Sequence, residues 1–245
     1  MPPEPSPEPM PKAAPAPARP VVVSIGGSVL PVGEGAATYW GELAQLLRTV
    51  GARRPLAVTV GGGRTARDYI RLGRDLGLTE IELDEVGIEV TRLHARLLAA
   101  AIGPTAPIHP PATIALAVHE LRRTSPVVLG GTEPGHTTDG VAALLAARLR
   151  AERLVNATNV AGVFDRDPQR APTARRLDRL SWARFREMVH AGASGEAGQS
   201  FLFDQLGVEV VARARVPVCV VDGRDLKNLG SAMEGRPFEG TRVEG

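Results

Sequence analysis

Four short apolar runs, each stopping at small or hydroxylated residues, constrain this chain most. VVVSI (21–25) stops at Gly26-Gly27-Ser28, LAVTV (56–60) at Gly61-Gly62-Gly63, and PVVL (126–129) at Gly130-Gly131-Thr132. RLVNAT (153–158) ends at Thr158-Asn159. Runs this short, without polar alternation, read as strands buried on both faces, the mark of a parallel sheet. Stretches of helical period lie between them, at 38–50, 64–77, 79–102 and from Thr138 or Asp139, which caps DGVAALLAARLRAE. The expected fold is α/β, a mostly parallel central sheet sandwiched by helices. In such sheets ligands bind outside the carboxyl ends of the strands. Glycines there let backbone amides approach an anion, and the next helix start adds a positive dipole end worth about 0.3–1 kcal/mol. Several such turns on one edge imply phosphate binding.

Residues 104–111 read as a proline-rich connection with room for a short edge strand. Helical segments follow near 181–191 and 199–214, then a strand at 216–221, a short helix and a closing GTRV strand. The alternation has no compositional break, so residues 21–245 are expected to form one domain of two lobes. Before it, nine of the first twenty residues are proline, which predicts a disordered, polyproline-like arm over 1–20.

Several functions are excluded. The single cysteine, Cys219, can make no internal disulfide and sits in a strand-like setting. Net charge is +2, with no basic run interleaved with aromatics, so nucleic acid is not an expected partner. No apolar stretch reaches the length of a membrane span, and the N-terminus has no apolar signal core, which predicts a cytoplasmic protein. Only Lys12 and Lys227 are lysines, so charge against phosphate must come from arginine. There is no G-x-x-x-x-G-K-[ST], which excludes a P-loop. Gly61 to Ala66 does fit G-x-G-x-x-A with Asp84 about twenty residues on, but Asp84 falls inside a helical pattern rather than at a strand end.

The stretch Thr132-Glu133-Pro134-Gly135-His136-Thr137-Thr138-Asp139 forces a turn and offers hydroxyls at a helix start. With VVVSIGGSVL, VGGGRTARDYI, IELDEVGIEVTRLHARLL, ATNVAGVFDRDP, AGQSFLFD and VVDGRD...EGTRV, in that order, it resembles the amino acid kinase superfamily, most closely its archaeal-type UMP kinases. The resemblance implies transfer of the ATP γ-phosphoryl group to UMP, with Mg²⁺ carried by the nucleotide, in a homohexamer built from dimers. It assigns Gly27, Ser28, Gly63 and Arg67 to the ATP phosphates, and Thr158, Asn159, Phe164 and Asp167 to the adenosine end. Gly62, Asp84 and residues Thr132 to Thr138 fall to UMP. Asp139 would orient donors or the metal, with Arg64 or Arg67 supplying the catalytic cation.

The chain also departs from the pattern. Ser24 stands where many superfamily members carry lysine, and Glu209 stands where a lysine follows the aspartate of AGQSFLFD. Ala161 and Phe164 replace an aspartate and a tyrosine, and His94 and Glu133 are also uncommon at their places. These changes leave open a relative without turnover, acting as a nucleotide sensor or as a store for molybdate- or tungstate-type oxyanions.

Overall fold

The computed structural model describes residues 18–166, 168, 171–193 and 203–245. Asp167, most of the proline-rich arm and most of AGQSFLFD lie outside these residues. The first half of the chain runs β1 (Val21–Ile25), α1 (Ala36–Gly51), β2 (Leu56–Val60), α2 (Gly63–Asp75), α3 (Glu80–Ile102), α4 (Ile114–Glu120), β3 (Val127–Leu129) and α5 (Thr138–Leu149). The second half runs β4 (Arg153–Thr158), β5 (Arg179–Leu180), α6 (Trp182–Ala193), α7 (Gln205–Ala214), β6 (Val218–Asp222), α8 (Leu226–Glu234) and β7 (Thr241–Val243).

The strands form one sheet in the order β3-β2-β1-β4-β6-β7-β5. All neighbours are parallel except β6 and β7. Alternate residues feed two cores. Val21, Val23 and Ile25 pack with Leu43 and Leu47 of α1, Leu98 of α3 and Leu229 of α8. Val22 and Ala57 face Val141 and Leu145 of α5 and Val208 of α7. Both faces are therefore covered, which is why β1 and β2 tolerate no exposed position.

The order β3-β2-β1-β4 makes the four strands with glycine or threonine-asparagine ends immediate neighbours, so all four ends open on one edge. The strand order reverses between β1 and β4, where α/β sheets open a ligand crevice.

The helix expected at 79–102 starts one residue later because Thr79 is its cap. The Thr79 hydroxyl accepts from the Glu82 N–H, and Glu82 accepts from the Thr79 N–H at 2.8 Å, a complete capping box. Backbone and hydroxyl donors from Thr79 hold the Glu82 carboxyl below its ordinary pKa.

Three expectations need correction. Residues 104–111 contain no strand; four prolines there leave too few N–H donors for pairing. The cap of α5 is Thr137, whose hydroxyl accepts from the Gly140 N–H at 3.1 Å, so Thr138 and Asp139 lie inside the first turn. The strand expected from 216 begins at Val218. The structure also adds α4, capped by Thr113, and the two-residue β5, both too short to leave a periodic signal.

Candidate active site

The first two glycine turns are interlocked backbone to backbone. The Gly61 N–H donates to the Ile25 carbonyl at 2.9 Å, and the Gly26 N–H to Ala157 at 2.8 Å. A Cβ on Gly27 would lie 2.0 Å from the Gly63 nitrogen, and one on Gly63 would lie 2.2 Å from the Gly27 carbonyl oxygen. Gly63 also has φ of +59°, where side chains are disfavoured. These glycines thus fit the β1 and β2 turns against each other.

Helix α3 holds two of the loops from behind. Buried His94 meets the Gly61 carbonyl through Nδ1 at 2.9 Å, with Trp40 edge-on to its ring at 5.8 Å. The Thr91 hydroxyl accepts from the Gly131 N–H at 2.7 Å, and Arg92 donates to the Gly131 and Thr132 carbonyls at 3.3 and 3.2 Å. Gly130 is required because a Cβ there would meet the α3 backbone at Arg92, 2.6 Å away.

Asp139 lies in the first turn of α5, against β1. The Ser24 hydroxyl, fully buried on β1, donates to its Oδ1 at 2.6 Å. Ser24 thus occupies the lysine position with a donor of its own. Burial pushes the Asp139 pKa up to about 6; the Ser24 bond opposes the shift and the nearby Asp204 carboxylate adds to it. A helix N-terminus favours a carboxylate by only about 0.3–1 kcal/mol, whereas a shift of this size is worth about 3 kcal/mol, so desolvation dominates.

Beside Asp139 opens a cavity of about 380 Å³ between α2, α3 and the loop before α5. Of the residues assigned to UMP, the structure brings Asp84, Glu133, Pro134, Gly135, His136, Thr137 and Thr138 to its wall, with Ala66, Ile70, Gly87 and Ile88 as the apolar side. Asp84 shapes the loop directly, accepting from the Gly135 N–H at 2.8 Å, and Glu133 lies 3.1 Å from the His136 ring. Gly62 and Thr132, also assigned to UMP, are not among the residues that line it. Gly62 is packed against Ala66, where a Cβ would come within 2.4 Å.

On α2, Arg64 is largely exposed and faces Asp68 at 3.6 Å, whereas Arg67 is exposed with no carboxylate partner among the described residues. Ser28 lies exposed beyond Gly27. At the other end of the crevice, the Thr158 hydroxyl meets the Asn159 side chain at 3.4 Å, and Phe164 forms an isolated bridge with Arg176.

Two site residues went unassigned in the sequence. Asp204 caps α7 and accepts a short hydrogen bond from the Thr137 hydroxyl, tying α7 to the loop before α5. A Cβ on Gly140 would collide with Asp204. The aspartate of AGQSFLFD was visible, but nothing local marked it as reaching α5. Arg224 is clamped on Asp222 at 2.6 Å and donates to the Asn159 carbonyl at 3.1 Å, fixing the end of β4 to that of β6. Its only signal was the VVDGRD match. Glu209 is held between Arg186 and His190, at 2.8 and 2.9 Å, and these partners keep its carboxyl below its ordinary pKa. Its charge is thus met by α6.

The amino acid kinase family model matches residues 19–222. The uridylate kinase of Thermoplasma volcanium is 41% identical, over 91% of this chain and 97% of its own. That of Methanopyrus kandleri is 42% identical, over 91% and 99%. The crystal structure of uridylate kinase from Archaeoglobus fulgidus superposes with a TM-score of 0.82 at 37% identity, covering 91% of this chain and 99% of that one. A UMP kinase structure from Bacillus anthracis, at 19% identity and a TM-score of 0.75, shares the fold. The interlocked glycine loops and the aspartate at the α5 start therefore sit in a chain that belongs to the amino acid kinase family, among relatives that are archaeal uridylate kinases.

Proposed function

We propose that this protein is a UMP kinase, transferring the γ-phosphoryl group of ATP to UMP to give UDP. The observation that carries this reading is the cavity of about 380 Å³ walled by α2, α3 and the Glu133–Thr138 loop, which leads into α5, the helix that carries Asp139. Its size suits a nucleoside monophosphate.

The acceptor phosphate is already an anion near neutral pH, its second pKa being about 6. No general base is required; the work is in-line positioning and charge stabilisation. The N–H groups of the β1 and β2 turns and the starts of α2 and α5 would face the phosphates, with Arg67 as the free cation. Mg²⁺ carried by ATP would neutralise charge on the transferring group. Among the described residues no group of three or more His, Cys, Asp or Glu could hold a metal ion. An ion bound mainly through nucleotide phosphates would have Asp139, and Asp204 near it, as the protein carboxylates toward it. Thr158, Asn159 and Phe164 would hold the adenosine end.

ADP release measured with ATP, Mg²⁺ and each nucleoside monophosphate tests the reading. Turnover is expected with UMP, and Arg67→Ala is expected to lower kcat by about 10²–10³-fold. ATP binding without turnover on any acceptor would overturn it and favour the nucleotide sensor.

Self-association fits the same reading. Tyr69 and Leu72 of α2, Leu76 just after it, and Ile81, Leu93 and Leu97 of α3 are each more than half exposed, and Tyr69 and Leu93 line a hollow of about 560 Å³ with Leu78, Val86, Val90 and three glutamates. Such a face suits a second copy, the dimer of the proposed hexamer. Leu93→Glu is expected to shift the chain toward monomer in analytical ultracentrifugation; an unchanged sedimentation coefficient would remove this face from the interface. No helix among the described residues is long and apolar enough to cross a membrane. The cytoplasm, where nucleotide substrates are at hand, is the proposed site of action.

A further inference from the structure

The opposite flank of the sheet carries a cleft that phosphoryl transfer does not use. It has a volume of about 480 Å³ and lies between the 235–240 segment and the β5–β7 edge. Four arginines line it, Arg176, Arg179, Arg236 and Arg242, against two acids, Asp178 and Glu239. Arg242 lies over the Phe238 ring, its guanidinium carbon 5.9 Å from the centroid, and has no carboxylate partner among the described residues. Arg176 and Arg179 pair only with side chains at the protein surface, Asp178 at 3.1 Å and Glu244 at 3.3 Å. Arg236 pairs with Glu234, which also serves Arg53. Exposed pairs of this kind are worth about 0–1 kcal/mol, so a multivalent anion can displace the carboxylates at small cost. Guanidinium forks then bind phosphate oxygens in pairs.

We infer that this cleft is a second anion site, for a polyphosphate group of the kind that nucleoside di- and triphosphates carry, separate from the proposed active site. Three strand spacings of about 4.8 Å separate β7 from β1 and four separate it from β2, which puts it about 14 Å and 19 Å from the two paired glycine turns. The cleft is nevertheless joined to the adenosine end. Arg176 is the bridge partner of Phe164. The Thr241 hydroxyl at the start of β7 accepts from the Val163 N–H at 2.8 Å and donates to the Leu177 carbonyl at 2.6 Å. An anion drawing Arg176 and Arg242 together tightens the segment that presents Phe164. This coupling rests on the proposed kinase reading; the binding does not.

The test is calorimetric titration with inorganic tripolyphosphate at physiological ionic strength, with the protein saturated with UMP and a non-hydrolysable ATP analogue. One further site per chain is expected, weakened at least tenfold in both Arg236→Gln and Arg242→Gln and unchanged in Arg67→Ala. Both single variants are used so that a folding defect in one does not decide the result. In the wild type, tripolyphosphate is expected to slow amide exchange at Val163 and Leu177. Absence of saturable binding, or binding that follows Arg67 instead of Arg236 and Arg242, overturns the site. Binding without slower exchange overturns the coupling. Binding that persists in a chain without UMP-dependent turnover keeps the site and removes only the kinase reading.

Discussion

Replacing Asp139 by asparagine is expected to lower kcat by about 10²–10³-fold while making the unliganded protein more stable. Both effects come from one burial. The carboxylate is held by Ser24 and crowded by Asp204, and its pKa rises to about 6. An acid whose pKa is higher in the folded than in the unfolded state favours folding least when both states are ionised. The penalty is absent below about pH 4, grows between about pH 4 and 6, and is complete above it, reaching at most about 3 kcal/mol. The amide introduced by Asp139→Asn would still accept from Ser24 but carries no charge to desolvate. At pH 8 the variant is expected to melt several degrees higher, since about 1 kcal/mol moves a domain of this size by roughly 2–4 °C. At pH 4 the difference should vanish. The acid limb of the wild-type rate profile near pH 6 should be altered in the variant. A variant with wild-type kcat would remove Asp139 from the mechanism, and a lower melting point at pH 8 would mean that the carboxylate is stabilising where it sits. Sites that hold charge away from water commonly trade stability for function in this way.

Gly27→Ala is the second large effect, and it acts through packing. The added methyl would lie 2.0 Å from the Gly63 nitrogen and 2.9 Å from the Gly62 carbonyl carbon. Both neighbours are backbone at the end of a fully buried strand, so no side-chain rotation relieves the contact. A loss above about 4 kcal/mol is expected, measured by urea denaturation, with turnover undetectable. Gly41→Ala serves as the control. Gly41 lies inside α1 with nothing within 4 Å of an added Cβ, and alanine there is expected to stabilise by about 0.5–1 kcal/mol. If both variants behave alike, the interlocking of the β1 and β2 turns is not what fixes the glycine.

Much of this architecture follows from local rules. Runs such as VVVSI and LAVTV read as strands buried on both faces, with turns at their glycine ends, and the helix over 79–102 is announced by its apolar period. Hence the order of elements, the parallel sheet and the edge where the glycine turns gather were legible, and the order of motifs pointed to the family. Only the folded chain reveals the partnerships. Ser24 and Asp139 are 115 residues apart, and Thr137 and Asp204 are 67 apart. No periodicity relates such positions, so neither the raised pKa of Asp139 nor the tie from α7 to the α5 start could be read beforehand. Glu209 gives the same lesson in reverse, since an acid that looked misplaced beside phosphate pairs with Arg186 and hydrogen-bonds His190 on the preceding helix. The sequence determines which segments become strands and turns because those choices depend on neighbours along the chain. Tertiary structure alone decides which charges are buried, paired or left free for a ligand, because desolvation and Coulomb energy depend on distance in space.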